Sequence, residues 1–407
     1  MTFFKRTVKT VPIDRKTVLV RADYNVPLDT KGAISDDLRI QASLPTLRYL
    51  LEHQCKVVVM SHLGRPEGRD ESLSLAPIAE RLEELLNVPV MFVEDAIGDT
   101  VVQAVKRAPK NTIVLLENLR FYPEEETNSE EFAKKIAKST GARYFVQDGF
   151  GVVHRAHAST DAITHYIPSV SGLLLEREYT TITRAIEDPK RPLVAVMGGA
   201  KVSDKITVIE RLVEVADKII IGGAMANTFL RYKGHDMGAS KLEAGQEHVL
   251  DGIYQAAHRK LETSVDDFII LPTDVAVASE VSETATRKNV KLGSLAECDM
   301  ALDIGDETID RMIQELQGAK TVIWNGTLGL AEFPEFAHGS ARLALELATH
   351  PKITSIVGGG DTADFVLKWD GHDGRSFSHI STGGGVSLEL MAGKKLPGVE
   401  SLLDAAR

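Results

Sequence analysis

Leu193-Val194-Ala195-Val196-Met197-Gly198-Gly199-Ala200-Lys201-Val202-Ser203-Asp204-Lys205 is the stretch on which the reading of the fold turns. Its first five residues form an unbroken apolar run, as a strand buried on both faces of a parallel sheet requires. Residues 206–215 then carry apolar side chains at helical spacing. A glycine pair between a strand and a helix leaves backbone N–H groups free to face an anion. Lys201 and Lys205 are four apart, which predicts that they project from one face of the first helical turns. Two ammonium groups beside open amides suit a polyphosphate. The alternative is a tight strand–helix turn with two solvated lysines.

The same alternation extends in both directions. Toward the N-terminus, strands are predicted over 17–22, 56–60, 88–93, 112–117 and 143–147, with helices over 36–53, 75–86, 99–108 and 129–139. A long helical stretch over 173–187, closed by Pro189 and Pro192, reads as a connector. Beyond it strands are predicted over 193–197, 218–221, 268–271, 321–324, 353–357 and 379–381. The fold class is therefore α/β: two doubly wound, Rossmann-like parallel-sheet domains joined by a helix. The expected boundaries are 1–172 for the N-terminal domain, 173–189 for the helix and 190–389 for the C-terminal domain. In such sheets ligands sit at the carboxyl ends of the strands, and the chemistry-bearing motifs fall there.

Composition narrows the function. At 407 residues the chain exceeds one ordinary core. No apolar run approaches the roughly 18 residues of a membrane span, and the first ten residues are too polar for a secretory core, so a cytoplasmic protein without membrane contact is expected. Cys55 and Cys298 form no metal or redox pair. A net charge of −11 argues against nucleic-acid binding. That charge is uneven: residues 1–172 are close to neutral, and the remainder carries nearly all of the deficit.

In the first half, Arg21, Asp23 and Asn25 follow the first strand, with an Asx turn before Pro27 as the plain reading of the last two. Ser61-His62-Leu63-Gly64-Arg65-Pro66 follows the second strand, Glu117-Asn118-Leu119-Arg120 ends a later one, and Asp148 through Arg155-Ala156-His157 ends another. Arg39 opens the first helix. One arginine at a strand end is ordinarily a surface ion pair. Four loops delivering arginines to one sheet edge point to a small phosphorylated anion, which guanidinium forks bind bidentately.

In the second half, Gly222-Gly223 opens another strand–helix turn, Asn325-Gly326 ends a strand, and Glu332 follows seven residues later. Gly358-Gly359-Gly360-Asp361-Thr362 leaves a strand and opens a helix, where the glycine amides suit phosphate and Asp361 suits Mg²⁺; Asp361 could equally be an N-cap. No P-loop, dinucleotide fingerprint or protein-kinase motif is present.

Taken together, RADYNVPL from Arg21, SHLGRP from Ser61, LENLRF from Leu116, HRAHAST from His154, GGAKVSDKI from Gly198, GGAMANTFL from Gly222, WNG from Trp324, GGGDTA from Gly358 and STGGGVSLEL from Ser381 closely resemble the phosphoglycerate kinase family, collinearly over essentially the whole chain. The resemblance implies reversible phosphoryl transfer between 1,3-bisphosphoglycerate and MgADP, giving 3-phosphoglycerate and MgATP. It implies that Asp23, Asn25, His62, Arg65, Arg120 and Arg155 hold the phosphoglycerate, and that Arg39 reaches its carboxyl group and the moving phosphoryl. Lys201 and Lys205 would serve the transferred group and the nucleotide phosphates. Gly222, Gly223, Asn325, Glu332, Gly359, Gly360, Asp361 and Thr362 would form the nucleotide site, with Asp361 at the magnesium ion. A monomer is expected, with closure of its two domains around the ligands and residues 390–407 returning to the first domain.

Three departures from the family pattern bear on the nucleotide site: Ala301 where glycine is common, and Asp306 and Thr327 where proline is common. In the first half, Asp148-Gly149-Phe150-Gly151-Val152-Val153 stands where D-A-F-G-T-A is common, so Gly149, Val152 and Val153 depart as well. A non-catalytic scaffold of the same fold is the alternative; loss of Arg39, Lys205 or Asp361 would favour it, and all three are present. A nicotinamide-dependent dehydrogenase is suggested only by the α/β pattern and lacks its fingerprint.

Overall fold

The computed structural model describes residues 3–261, 264–371 and 374–405. They divide into two compact units. One comprises the residues up to 180 together with those from 395 onward; the other comprises residues 181–394.

The first unit contains, in order, β1 (Thr17–Arg21), α1 (Leu38–Glu52), β2 (Lys56–Met60), α2 (Ala76–Leu86), β3 (Val90–Val93), α3 (Asp99–Arg107), β4 (Ile113–Leu116), α4 (Glu130–Thr140), β5 (Tyr144–Gln147) and β6 (Ser169–Ser171). Its sheet has the order β3-β4-β2-β1-β5-β6 and every pairing is parallel. Alternate residues of each strand enter opposite cores. Val18, Val20, Val57, Val59, Ile113 and Leu115 pack with α1 and α2, whereas Leu19, Val58, Met60, Val114 and Leu116 pack with α3 and α4. Both faces are covered, so the strands read as unbroken apolar runs. Leu47 and Leu50 of α1 are fully buried, and truncating either to alanine would cost about 2–5 kcal/mol. Helix α4 starts where Ser129 accepts a hydrogen bond from the Phe132 amide at 3.3 Å and stops at Gly141, whose φ is 61°.

Helix α5 (Leu173–Glu187) follows β6, and the division between the units falls within it. Its N-terminus is held by the Asp148 carboxylate, whose Oδ1 accepts from the amides of Leu174 at 3.0 Å and Leu175 at 3.3 Å.

The second unit contains β7 (Leu193–Met197), α6 (Ile206–Val215), β8 (Lys218–Ile221), α7 (Gly223–Tyr232), α8 (Glu247–Lys260), β9 (Ile269–Ile270), β10 (Asp274–Ala278), β11 (Lys288–Lys291), β12 (Met300–Ile304), α9 (Asp306–Leu316), β13 (Thr321–Asn325), α10 (His338–Thr349), β14 (Thr354–Gly358), α11 (Gly360–Asp370), β15 (His379–Ile380) and α12 (Gly385–Met391). Its main sheet, β15-β14-β13-β7-β8-β9, is again wholly parallel. Val194, Val196, Ile220, Val322, Trp324 and Val357 form a core with residues of α9 and α10.

A separate antiparallel sheet, β11-β10-β12, lies outside the sequence expectation. Its strand β11 is Lys-Asn-Val-Lys with only Val290 buried, so no apolar run marks it. The Asp274 carboxylate at the start of β10 accepts from the amides of Thr308 at 2.8 Å and Glu307 at 3.1 Å, which ties this sheet to the first turn of α9.

The chain end packs on the first unit through α13 (Pro397–Glu400). The Lys5 ammonium, 5% exposed, donates to the carbonyls of Glu400 at 2.7 Å and Leu402 at 2.9 Å and to the Asp404 carboxylate at 2.8 Å. The Gly398 amide donates to Val153 O at 2.9 Å, and a β-carbon on Gly398 would lie 3.1 Å from the Val153 Cα.

Candidate functional site

Each unit carries its own set of candidate residues at the carboxyl edge of its sheet. In the first unit the register pairs Arg21 with Met60 on one side and with Gln147 on the other, so the loops after β1, β2 and β5 leave the sheet at one level. The Asp23 carboxylate accepts from the Asn25 amide at 3.1 Å, which is the Asx turn, and lies 3.5 Å from Arg39 Nη1. Asn25 ties three segments together. Its Oδ1 accepts from the Gly64 amide at 2.8 Å, and its carbonyl accepts from Arg39 Nη1 at 2.7 Å. Gly64, at φ 64°, occupies a backbone conformation that disfavours side chains, and its carbonyl accepts from Arg120 Nη1 at 2.6 Å.

The cations of this edge act on one another. Burial lowers the Arg120 guanidinium from its ordinary value; Glu126, 3.1 Å from its Nε, opposes that, and Arg155 and Arg65 add to it. Arg65 is exposed, and Arg155 Nε donates to His154 at 3.1 Å. His62 is 3% exposed, and burial together with Arg21, Arg120 and Arg39 holds it well below the usual histidine range. His157 is lowered to about 4 by burial, then by Arg21, Arg120 and Arg155. Both rings are therefore neutral at physiological pH. A neutral imidazole beside several guanidinium groups offers an N–H donor without adding to the repulsion. The structure thus gathers Asp23, Asn25, Arg39, His62, Arg65, Arg120 and Arg155 on one edge.

In the second unit Asn325 pairs with Met197 and with Gly358, so the loops after β7, β13 and β14 adjoin. Lys205 lies among them. Its ammonium donates to Gly198 O at 2.7 Å and Asn325 O at 3.1 Å, and burial lowers it to about 8 against the opposing pull of Asp361 and Asp204. Asn325 is 1% exposed and its Nδ2 has no partner. That nitrogen lies 3.2–3.3 Å from where side chains on Gly358 and Gly359 would start. A buried amide donor left without an acceptor costs free energy in the free protein and suits an oxygen-rich ligand. Thr362 Oγ1 accepts from the Gly326 amide at 2.7 Å, fixing the loop after β13 to α11. Helix α11 begins at Gly360, so its opening amides, which lack intrahelical acceptors, and its dipole favour an anion there. Asp361 is exposed and shares a cavity of about 530 Å³ with Thr327, Glu332, Pro334 and Phe365.

Two local expectations are corrected. Lys201 and Lys205 do not share a helical face, because they lie in the turn preceding α6, with Lys205 at its N-cap. Nor are the amides of the glycine pair open. Gly198 N donates to Asn325 O and Gly199 N to Thr327 O, both at 2.9 Å, while the amides of Val202 and Ser203 donate to the Glu243 carboxylate at 2.7 and 3.2 Å. The glycines serve close approach instead: a side chain on Gly198 would start 2.2 Å from Thr327 O. Gly222 and Gly223 are similar, since side chains there would start 2.5 Å from Leu328 Cδ2 and 2.7 Å from the Gly199 amide nitrogen. They bring the loops after β7, β8 and β13 into contact.

The sequence reading missed several supports. Asn118, wholly buried, accepts from the Leu63 amide at 3.2 Å and donates to the carbonyls of Leu63 at 2.8 Å and Leu73 at 2.9 Å. Its partners are 45 and 55 residues away in the chain, and those of Glu243, which holds the turn before α6, are 40 and 41 residues away, so local spacing shows neither support. Of the departures, Asp306 opens α9, accepts from Asn289 Nδ2 at 2.6 Å and pairs with Arg287 at 3.0 Å. Ala301 lies in β12, among Leu230, Met237, Val275 and Val290.

With this geometry in place, the comparisons are consistent with one another. The family profile described as phosphoglycerate kinase matches residues 8–394. The phosphoglycerate kinases of Moorella thermoacetica and Thermosynechococcus vestitus are each 46% identical to this chain, covering 98% and 97% of it and 99% and 97% of their own lengths. The solved structure of phosphoglycerate kinase from Coxiella burnetii matches with a TM-score of 0.84 at 35% identity, and that from Pyrococcus horikoshii with 0.82 at 32%, each covering 98% of both chains. Over nearly its whole length, by sequence and by architecture, the chain belongs to the phosphoglycerate kinase family.

Proposed function

We infer that the chain transfers a phosphoryl group reversibly between 1,3-bisphosphoglycerate and MgADP, giving 3-phosphoglycerate and MgATP. Family membership supports the reaction, and the observation that carries it to the residues is the gathering of Arg39, Arg65, Arg120 and Arg155 with the buried His62 at one sheet edge, where Arg39 and Arg120 donate to the carbonyls of Asn25 and Gly64. Such a cluster is relieved by a polyanion.

In the ATP-forming direction, a β-phosphate oxygen of ADP attacks the acyl phosphorus. The bond from phosphorus to the acyl oxygen breaks, and its electron pair leaves with the carboxylate of 3-phosphoglycerate. Attacking and leaving groups are both anions, so no proton moves and no general base is needed; positioning and charge stabilisation carry the catalysis. Asp23, Asn25, His62, Arg65, Arg120 and Arg155 bind phosphoglycerate, and Arg39 meets its carboxyl group and the moving phosphoryl. Lys201 and Lys205 meet the phosphates. Asn325, Gly359, Gly360 and Thr362 receive the nucleotide phosphates, Glu332 its ribose, and Gly222 and Gly223 shape that pocket.

Magnesium is ordinarily held by one or two carboxylates plus substrate phosphates. Asp361, exposed on the cavity it shares with Glu332, fits that role. Among the described residues no cluster of three His, Cys, Asp or Glu would hold a metal alone. When bound, the ion neutralises phosphate charge.

Each ligand set is built from one unit of one chain, which supports a monomer. Transfer in a single step requires the two bound groups to meet, so ligand-driven domain closure belongs to this reading; X-ray scattering that shows no compaction with both ligands present would contradict it. The direct test couples 1,3-bisphosphoglycerate formation to NADH oxidation, with 3-phosphoglycerate and either MgATP or MgGTP. Turnover that requires both substrates is expected, and nucleotide hydrolysis indifferent to 3-phosphoglycerate would contradict the reading.

A further inference from the structure

Behind His62 lies a buried chain of polar groups that direct contact with a ligand does not explain. Arg21 is 1% exposed. Its Nη2 lies 3.2 Å from His62 Nδ1, its Nε donates to Ser159 Oγ at 2.7 Å, and its Nη1 donates to Ala22 O at 2.5 Å. Ser159 Oγ donates to Glu125 Oε1 at 2.5 Å, and the Ser159 amide donates to Glu125 Oε2 at 3.0 Å. Glu125 Oε1 is also 3.8 Å from Arg21 Nη2 and 3.8 Å from His157 Nδ1. Arg21, His62, Ser159 and Glu125 are all buried.

The direction of every bond in this chain follows from its ends. A guanidinium only donates, and an ionised carboxylate only accepts. Ser159 must therefore give its hydroxyl hydrogen to Glu125 and accept from Arg21 Nε. Arg21 must donate to His62, so Nδ1 of that ring is an acceptor. The ring's one hydrogen is then on Nε2, the remaining nitrogen. Burial raises the Glu125 carboxyl; Arg21 and the two hydrogen bonds from Ser159 oppose that rise. The titratable groups around His62 are Arg21, Arg120, Arg39 and His157; the three guanidinium groups disfavour a positive ring, as does His157 when it is protonated.

We propose that Glu125 and Ser159 are positioning residues that act through Arg21 to hold His62 in its neutral, Nε2-protonated form, so that it meets the anionic substrate as a fixed hydrogen-bond donor. Their role in binding rests on the placement of His62 in the phosphoglycerate site; the proton arrangement does not. Without the Glu125–Ser159 anchor, the Arg21 fork loses its orientation. The ring is then free to exchange tautomers, and it donates to the ligand for only part of the time.

The test uses the full-length protein with ¹⁵N-labelled histidine. Long-range ¹H–¹⁵N correlation spectra distinguish a protonated from an unprotonated ring nitrogen, with the His62 signals identified by their loss in His62→Gln. In the ligand-free wild type, His62 is expected to show a bare Nδ1 and a protonated Nε2, unchanged from about pH 5.5 to about pH 8, across the range where free histidine titrates. Ser159→Ala and Glu125→Gln are expected to give tautomer-averaged nitrogen shifts. They should also raise KM for 3-phosphoglycerate about tenfold, the equivalent of one charge-assisted hydrogen bond, with KM for MgATP unchanged. A wild-type ring that carries its hydrogen on Nδ1, or titrates within that range, overturns the proposal. So does a Ser159→Ala protein with the wild-type ring spectrum and KM. The wild-type spectrum needs neither substrate nor variant, so it tests the proton arrangement even where Glu125→Gln does not fold or phosphoglycerate does not bind.

Discussion

Replacing Arg39 by alanine separates catalysis from folding. Arg39 is the second residue of α1, and its side chain is 28% exposed. Within the protein its Nη1 makes one close hydrogen bond, to Asn25 O at 2.7 Å, and one long contact, to Asp23 Oδ1 at 3.5 Å. The first contributes about 0.5–1.5 kcal/mol. The second, partly solvated, contributes about 0–1 kcal/mol. Arg39→Ala should therefore destabilise the first unit by about 1–2 kcal/mol, a drop in Tm of about 2–4 °C per kcal/mol for a unit of this size. An arginine that meets the phosphoryl group in flight is worth about 10³–10⁵ in rate, or about 4–7 kcal/mol of transition-state stabilisation. Activity should thus fall by orders of magnitude in a protein that is still folded at assay temperature. Arg39→Lys keeps the charge but loses the planar fork, so it should recover only part of the rate. Steady-state kinetics in the coupled assay, with thermal melts on the same preparations, decide the matter. Turnover within about tenfold of wild type would refute the transition-state role. A collapse of Tm that accounts for the lost activity would show that Arg39 is structural instead.

Three further outcomes are expected. Asn325→Ala removes a buried donor that has no partner, so the free protein should melt near the wild-type temperature while the nucleotide-induced rise in Tm shrinks and KM for MgATP increases; an unchanged KM would contradict the assignment. His157 is lowered to about 4, so the unfolded chain takes up that proton at higher pH than the folded protein does. Its contribution is intact above about pH 6.5 and is lost as pH falls toward 4, to the extent of about 3 kcal/mol; His157→Gln should flatten that part of the acid limb in denaturant titrations. Asp148 has the opposite sign. Burial raises its carboxyl to about 7, opposed by Thr46 and the amides of Leu175 and Leu174, so the folded state holds the proton more tightly than the unfolded chain. Stability from this group is full below about pH 4 and declines as pH rises through 7, by at most about 4 kcal/mol. Asp148→Asn should remove that decline, and a wild-type slope in the variant would contradict the assignment.

The parallel strands were legible in the sequence because a strand covered on both faces has no polar position. Residues 57–60 and 193–197 are continuous apolar runs for that reason, and they fall in β2 and β7. The candidate residues were legible because they follow such runs: Arg21, His62, Arg120, Asn325 and Asp361 all lie at or just beyond strand ends. The antiparallel sheet was hidden, since Lys288–Lys291 exposes three of its four residues and carries no apolar pattern. The occupied amides of the glycine loop were hidden too. Local spacing shows a free turn, and only the fold brings Asn325 O, Thr327 O and Glu243 against it. Glu125 and Ser159 escaped notice because they are 34 residues apart in sequence and meet each other and Arg21 only in the interior. Sequence reading finds chemistry borne on strand ends; it does not find second partners contributed by distant loops.

In the proposed reaction the phosphorus passes directly between two anions, with no protein side chain bonded to it on the way. The most direct measurement uses ATP made chiral at the γ-phosphoryl group with oxygen isotopes and determines the configuration of the phosphoryl group after transfer to 3-phosphoglycerate. A single in-line displacement predicts inversion. Retention would mean two successive displacements through a phosphorylated side chain, and would contradict a site that works by position and charge alone.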